Sequence, residues 1–369
     1  MKHGIDTERL IAEAFLGLGD TTQLKVKNIL LDGIEEDSEH PIFNLLNIMR
    51  NPDYFQYTCK WLLNIDLLPF QAVILRELWY RKFPMFIATR GGSKSFLLAV
   101  YSILRSLFLE KSKIIAVGAG FRQSKVIFDY MDTIYRGSPI LRNIIGEGIR
   151  EGPKRDIDRC TFHIGDSELI AIPIGDGQKI RGLRGNCILS DEFSSVPREI
   201  FEVVIRGFGA VSHKPIDRVK KMYNIEYFRK HGLNLAADQE ESELDFGNQT
   251  IIAGTAYYSF NHFYEYYLKY KKIIESRGDP QKLELLFDGE EIPESFNWKD
   301  YSIFQIPFHF LPPGFMDETQ IANARALVHS SLFAMEYLAQ FSIDSNGFFK
   351  RSLIESCVTK EPVNLPSGP

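Results

Sequence analysis

A short apolar run over residues 84–88 breaks into Thr89-Arg90-Gly91-Gly92-Ser93-Lys94-Ser95 and gives way at once to a long apolar helical pattern over 96–109. A glycine-rich turn between a buried strand and a helix lets successive backbone N–H groups converge on an anion. The helix N-terminus adds the positive end of its dipole. Lys94 then reaches the β and γ oxygens of a nucleoside triphosphate, and Ser95 offers its hydroxyl to Mg²⁺. Arg90, inside the turn, contacts phosphate in cis, so the expected nucleotide contacts are Arg90, Gly91, Gly92, Ser93, Lys94, Ser95 and Phe96. The pattern G-x-x-x-x-G-K-[ST] is met in part, with Ala88 at the first glycine and Ser93 at the last. Taken alone, the loop is also compatible with a flexible glycine turn carrying a surface lysine.

About a hundred residues on, Asn186-Cys187-Ile188-Leu189-Ser190-Asp191-Glu192 has the form of a buried strand delivering two adjacent acids at its carboxyl end. Paired with Lys94-Ser95, such a strand supplies what phosphoryl transfer needs. The first acid, Asp191, holds Mg²⁺ directly or through water, and the second, Glu192, polarises the attacking water. A strand standing alone would instead end in a solvated acidic turn.

Composition narrows the class without naming a partner. The chain has 369 residues, 44% apolar and 25% charged, enough for one large α/β core with attachments. Its four cysteines, Cys59, Cys160, Cys187 and Cys357, form no C-x-x-C pair, so neither a zinc site nor a disulfide framework is indicated. The most apolar stretch, 96–109, is interrupted by Arg105 and too short to span a bilayer, and the first six residues lack a signal peptide's apolar core. We therefore expect a soluble intracellular protein with no membrane partner. A net charge of −5 means that any polyanion must meet a local basic patch or channel.

Along the chain, strands and helices alternate, which predicts a largely parallel sheet. Helices are expected over about 67–82, 96–109, 121–136, 197–208, 259–276, 318–328 and 332–341, and strands at 84–88, 113–119, 186–192, 249–254 and 302–308. A hairpin is expected at 160–164 and 168–172, after a looser stretch over 137–158. A charged segment, 213–245, is basic in its first half and acidic in its second; it is either a DNA-facing excursion or simply solvated. The expected division is an accessory helical segment (1–65), an ATPase core (66–300), a lid or connecting subdomain (301–350) and a linker (351–369).

Several segments in order resemble the ATPase half of large terminase subunits, the motors that drive DNA into tailed-phage and related capsids. Leu68-Pro69-Phe70-Gln71 resembles that family's adenine-recognising glutamine motif, and Thr89 to Ser95 its variant phosphate loop with an early arginine. Gly118-Ala119-Gly120-Phe121-Arg122-Gln123-Ser124-Lys125 resembles the segment after the second strand. Ile180-Arg181-Gly182-Leu183-Arg184-Gly185 resembles the arginine-glycine turn before the acid pair, and Ile252-Ala253-Gly254-Thr255-Ala256 the coupling motif, whose strand-end hydroxyl senses the γ-phosphate.

The resemblance implies a P-loop NTPase fold of the ASCE/RecA-like kind, a mostly parallel sheet flanked by helices with a small helical lid. It implies ATP and Mg²⁺ as ligands, Gln71 at the base, Thr255 at the γ-phosphate, and Arg181 as a finger reaching a neighbouring subunit, with Arg184 as the alternative. A finger of this kind contributes about 10³ to 10⁵ in rate. It further implies double-stranded DNA, a portal protein and a small terminase subunit as partners, a ring of copies on the portal, and residence in the cytoplasm of an infected host cell, transiently on the procapsid. The family's nuclease domain has no counterpart in this sequence, so no DNA cleavage is expected from it. Two other readings remain: a helicase-like remodelling ATPase, which needs a second lobe, and a catalytically silent nucleotide-binding assembly protein, which the serine at position 93 favours.

Overall fold

The computed structural model describes residues 45, 48–109, 111–145, 151–156, 159–174, 180, 182–209, 247–287, 290–343 and 356–357. Among these, β1 (Phe83–Ala88), β2 (Lys113–Gly118), β3 (Gly152–Arg155), β4 (Cys160–Ile164), β5 (Ser167–Pro173), β6 (Cys187–Ser190), β7 (Gln249–Gly254) and β8 (Tyr301–Ile306) form a single eight-stranded sheet. Its order is β3-β4-β5-β2-β6-β7-β1-β8. All pairs from β5 to β8 are parallel, and β3 and β4 add an antiparallel edge.

The central strands are near-continuous apolar runs because both faces of the sheet are covered. Alternate side chains of one strand enter different cores, as a two-residue period requires. Phe86, Ala88, Ile114 and Ala116 join the core on one face, whereas Met85, Ile87, Ile115 and Val117 join the other. The first face is covered by α1 (Phe55–Leu63), α2 (Pro69–Tyr80), α3 (Lys94–Phe108), α4 (Phe121–Gly137) and α5 (Pro139–Ile145). The second carries a helical run composed of Arg198–Ile200, a π-helical turn Phe201–Ile205 and a 3-10 turn Arg206–Gly209, together with α6 (His262–Ser276). Beyond it come the short α7 (Pro280–Glu284), α8 (Glu318–Leu327) and α9 (Ser330–Glu336). No described helix is long and apolar enough to cross a membrane.

β7 lies between the strand that enters the phosphate loop and the strand that ends in the acid pair. This interposed strand is the arrangement expected of an ASCE-type P-loop NTPase. The opposite end of the sheet is closed by a buried network. Gln249 Nε2 donates to the carbonyls of Leu78 and Arg81, each at 2.7 Å, and Arg105, 2% exposed, donates to Tyr101 Oη at 3.1 Å and to the Asn186 carbonyl at 3.3 Å.

The structure moves three expectations. β8 pairs with β1 along its whole length, from Phe83↔Tyr301 to Ala88↔Ile306, so the core runs past the boundary drawn at residue 300. The accessory segment likewise gives α1 to the main core, with Phe55, Cys59 and Leu62 buried there. The stretch 137–158 contains α5 and β3. α5 is only seven residues long, and β3 is an edge strand of sequence Gly-Pro-Lys-Arg, whose proline and charges suit an edge and leave no alternating pattern to detect. The expected helix at 197–208 is present as one uninterrupted run, Arg198 to Gly209, whose hydrogen bonding passes from α to π to 3-10 along its length. The charged segment 213–245, the first 44 residues and most of the linker lie outside the described residues.

Candidate phosphate and metal site

β1 ends at Ala88 and α3 begins at Lys94, leaving Thr89 to Ser93 to make the turn. The near side of the turn is fixed from two directions. The Thr89 N–H donates to the Ile306 carbonyl at the end of β8 (2.9 Å), while the Arg90 N–H and the Thr89 hydroxyl both donate to the Glu336 carbonyl at the end of α9 (2.8 and 3.1 Å). Gly91 takes φ +76°, and a Cβ at Gly92 would stand 2.9 Å from the Thr89 carbonyl oxygen, so the two glycines serve backbone requirements. Ser93 enters the helix at φ 65°, a left-handed conformation that costs a non-glycine residue about 1–2 kcal/mol. Its hydroxyl accepts a hydrogen bond from Gln71 Nε2 at 3.0 Å, and Gln71 Oε1 accepts the Leu68 N–H at 2.9 Å, closing the first turn of α2.

Lys94 is 7% exposed, and Nζ donates to the carbonyls of Ala88 (3.0 Å) and Thr89 (3.2 Å) and to Thr255 Oγ1 (3.3 Å). Burial pushes its pKa down, against the upward pull of Glu192, Asp191 and Glu336. The Ser95 hydroxyl donates to Asp191 Oδ2 at 2.5 Å, so the first turn of α3 and the end of β6 meet at two hard oxygens. Asp191 Oδ1 accepts the Glu192 N–H at 3.0 Å, and Glu192 sits at φ 49°. Burial raises the Glu192 pKa; Lys94 and a backbone hydrogen bond from Thr255 oppose this, while Asp191 and Glu336 add to it. Gly254 lets β7 pass close beneath this turn, since a Cβ there would lie 3.2 Å from the Phe193 nitrogen and 3.1 Å from the Phe263 ring.

The chemistry open to this arrangement follows from its parts. The amino end of α3 presents backbone N–H groups without intrahelical partners to an anion, and Lys94 adds a cation. Ser95 and Asp191 supply oxygen ligands of the type Mg²⁺ prefers, which usually binds one or two carboxylates and completes its shell with phosphate and water. No group of three His, Cys, Asp or Glu that could hold a metal ion occurs among the described residues. Glu192, largely desolvated and held at the end of β6, is placed to act as a base.

The structure thus brings together Lys94, Ser95, Asp191, Glu192 and Thr255. Gln71 reaches the loop through Ser93. Arg90 has an exposed side chain, and Phe96 packs its ring edge to face on Tyr130 of α4, with centroids 5.8 Å apart. Arg181 lies outside the described residues, and Arg184 is exposed with Nη1 on the Leu183 carbonyl at 2.9 Å. Sequence reasoning missed Glu336 and also Met316, whose Sδ would be 3.7 Å from a Cβ on Gly91. Neither belongs to a local pattern; both arrive through the fold.

No family model and no curated protein sequence matches the chain. Among solved structures, the large terminase ATPase domain of Thermus phage P74-26 is 14% identical at a TM-score of 0.49, with 77% of this chain and 97% of that one covered. The large terminase of bacteriophage HK97 is 13% identical at a TM-score of 0.42, covering 75% of this chain and 51% of that one. The large terminase of the thermophilic bacteriophage D6E in complex with ADP is 8% identical at a TM-score of 0.46, covering 75% and 54%. The likeness is one of fold. The chain spans about half the length of the HK97 and D6E proteins.

Proposed function

We propose that this chain is a Mg²⁺-dependent ATPase whose turnover drives double-stranded DNA into a viral capsid. The observation that carries the enzymatic part is the contact of Ser95 with Asp191 beside the buried Lys94 amine, which joins a helix N-terminus, a cation and an oxygen-ligand pair at one point. On phosphate binding, Lys94 exchanges the Ala88 and Thr89 carbonyls for β and γ oxygens. Ser95 and Asp191 would hold Mg²⁺, which would neutralise charge on the phosphates. Glu192 orients the attacking water and takes its proton, and Thr255, bonded both to Lys94 and to Glu192, links the γ-phosphate position to β7.

The motor reading extends this to a ring of copies on a portal, with a small subunit as partner, DNA in the bore and Arg181 completing a neighbour's site. What supports it is the order of the sequence segments quoted above. The test is Mg²⁺-dependent phosphate release with and without duplex DNA, for the parent and Lys94→Ala. Release that is independent of Lys94 removes the enzymatic reading; release indifferent to DNA in portal-bound protein removes the motor. One observation favours a second reading, a nucleotide-binding assembly protein without turnover: a serine occupies the left-handed position before Lys94. Tight nucleotide binding with no phosphate release selects it.

A further inference from the structure

We infer that Gln71 positions the phosphate loop instead of reading the base, and that the site consequently accepts purine and pyrimidine nucleoside triphosphates alike. The inference rests on the nucleotide reading above. Both polar atoms of the Gln71 amide are engaged within the chain, Oε1 by the Leu68 N–H at 2.9 Å and Nε2 by Ser93 Oγ at 3.0 Å, and the residue is only 6% exposed. Ser93 shows why the second bond exists. A serine at a helix N-cap ordinarily turns its hydroxyl onto an N–H of the first helical turn. Ser93 makes no such bond; its hydroxyl points out of the loop to α2. Glycine would take φ 65° without strain, so the glutamine clamp offsets the cost of the side chain that replaces it.

The described side chains that flank Gln71 and Gly91 are apolar. Phe70 precedes it and meets Phe315 edge to face, with centroids 5.8 Å apart, and the Met316 thioether lies over Gly91. Rings and a polarisable sulfur offer a face to any base. An apolar surface of this kind separates close analogues by about 10- to 200-fold at most, whereas a site that hydrogen-bonds its substrate rejects others by about 10⁴ or more.

The experiment is a binding titration of ATP, GTP, CTP and UTP in non-hydrolysable form with Mg²⁺, on the parent, Ser93→Ala, Ser93→Gly, Gln71→Ala and the Gln71→Ala/Ser93→Gly pair. The parental Kd values should fall within about tenfold of one another. Ser93→Ala keeps the strain, loses the clamp and leaves the α2 turn intact; it should weaken all four by a similar factor, about tenfold relative to Ser93→Gly. Gln71→Ala should do the same, and adding Ser93→Gly should restore most of the loss. A hundredfold preference for ATP that Gln71→Ala abolishes overturns the inference, as does failure of the glycine to rescue. If the parent binds none of the four, it is the nucleotide reading that fails, and the inference falls with it.

Discussion

At Glu192 the chain holds a carboxylate largely out of water, beside Asp191 and in a left-handed backbone conformation, φ 49°. Its pKa is raised above the usual glutamate value of 4.5, burial being the main cause. The folded state therefore binds this proton more tightly than the unfolded chain, and ionising Glu192 costs stability as pH climbs through the raised value. Glu192→Gln removes that cost: the variant should melt above the parent at neutral pH, with the gap closing as pH falls below 4.5. Melting curves without nucleotide across that range check it, and a gap that does not depend on pH would contradict the assignment. The same variant should turn over ATP about 10² to 10⁴ times more slowly while keeping Mg²⁺-nucleotide affinity, whereas Asp191→Ala should lose the Mg²⁺-dependent part of binding. Calorimetric titration of both variants separates these roles. That Lys94-Ser95 and Asp191-Glu192 would meet was legible in the sequence, because each pair is contiguous and tied to the start of a helix or the end of a strand. Gln71 was legible as part of the site, but its bond to Ser93 was not, since it spans 22 residues and depends on how α2 lies against the loop.

Among the elements, β7 was read to its exact bounds, because an apolar run buried on both faces and ending in glycine has one interpretation. β3 and α5 escaped, one too short and charged, the other too short to show a period. Gly254 at the end of β7 makes a structural demand that composition cannot display. Gly254→Ala places a methyl 3.2 Å from the Phe193 nitrogen and 3.1 Å from the Phe263 ring, and the former is backbone. The variant should lose about 1–3 kcal/mol in denaturant unfolding and lose turnover more than nucleotide affinity, because the displaced groups are Glu192 and Thr255. Equal losses in kcat and affinity would place the effect elsewhere. α9 contributes through its last residue: the Glu336 carbonyl anchors the loop, and its carboxylate helps hold the Glu192 pKa up. Glu336→Gln keeps the carbonyl and removes the charge. The acid limb of the turnover profile should then move to lower pH, and a limb that stays put would show that Glu192 does not set it.

For the whole molecule, the proposed ring makes the isolated chain an incomplete enzyme. Specific ATPase activity should rise with protein concentration, and Arg181→Ala should abolish the rise while leaving nucleotide affinity nearly unchanged. A rate independent of concentration, or a variant that keeps the rise, shifts the finger to Arg184 or to a site complete in one copy. The sheet order has a consequence of its own. β1 is the earliest of the eight strands, yet its two neighbours are β7 and β8, and the loop that follows it hangs from the carbonyls of Ile306 and Glu336. A nascent chain thus exposes the phosphate loop long before anything can hold it in shape. At ribosomal speeds, roughly ten to fifty seconds separate the synthesis of Arg90 from that of Glu336. Throughout that interval the glycine turn has no fixed geometry with which to grip a nucleotide, and the cell's abundant triphosphates cannot act as a template for the early half of the fold. Nucleotide capture is therefore a late event in the birth of this protein, available only once α9 has been made and has closed back onto the first strand.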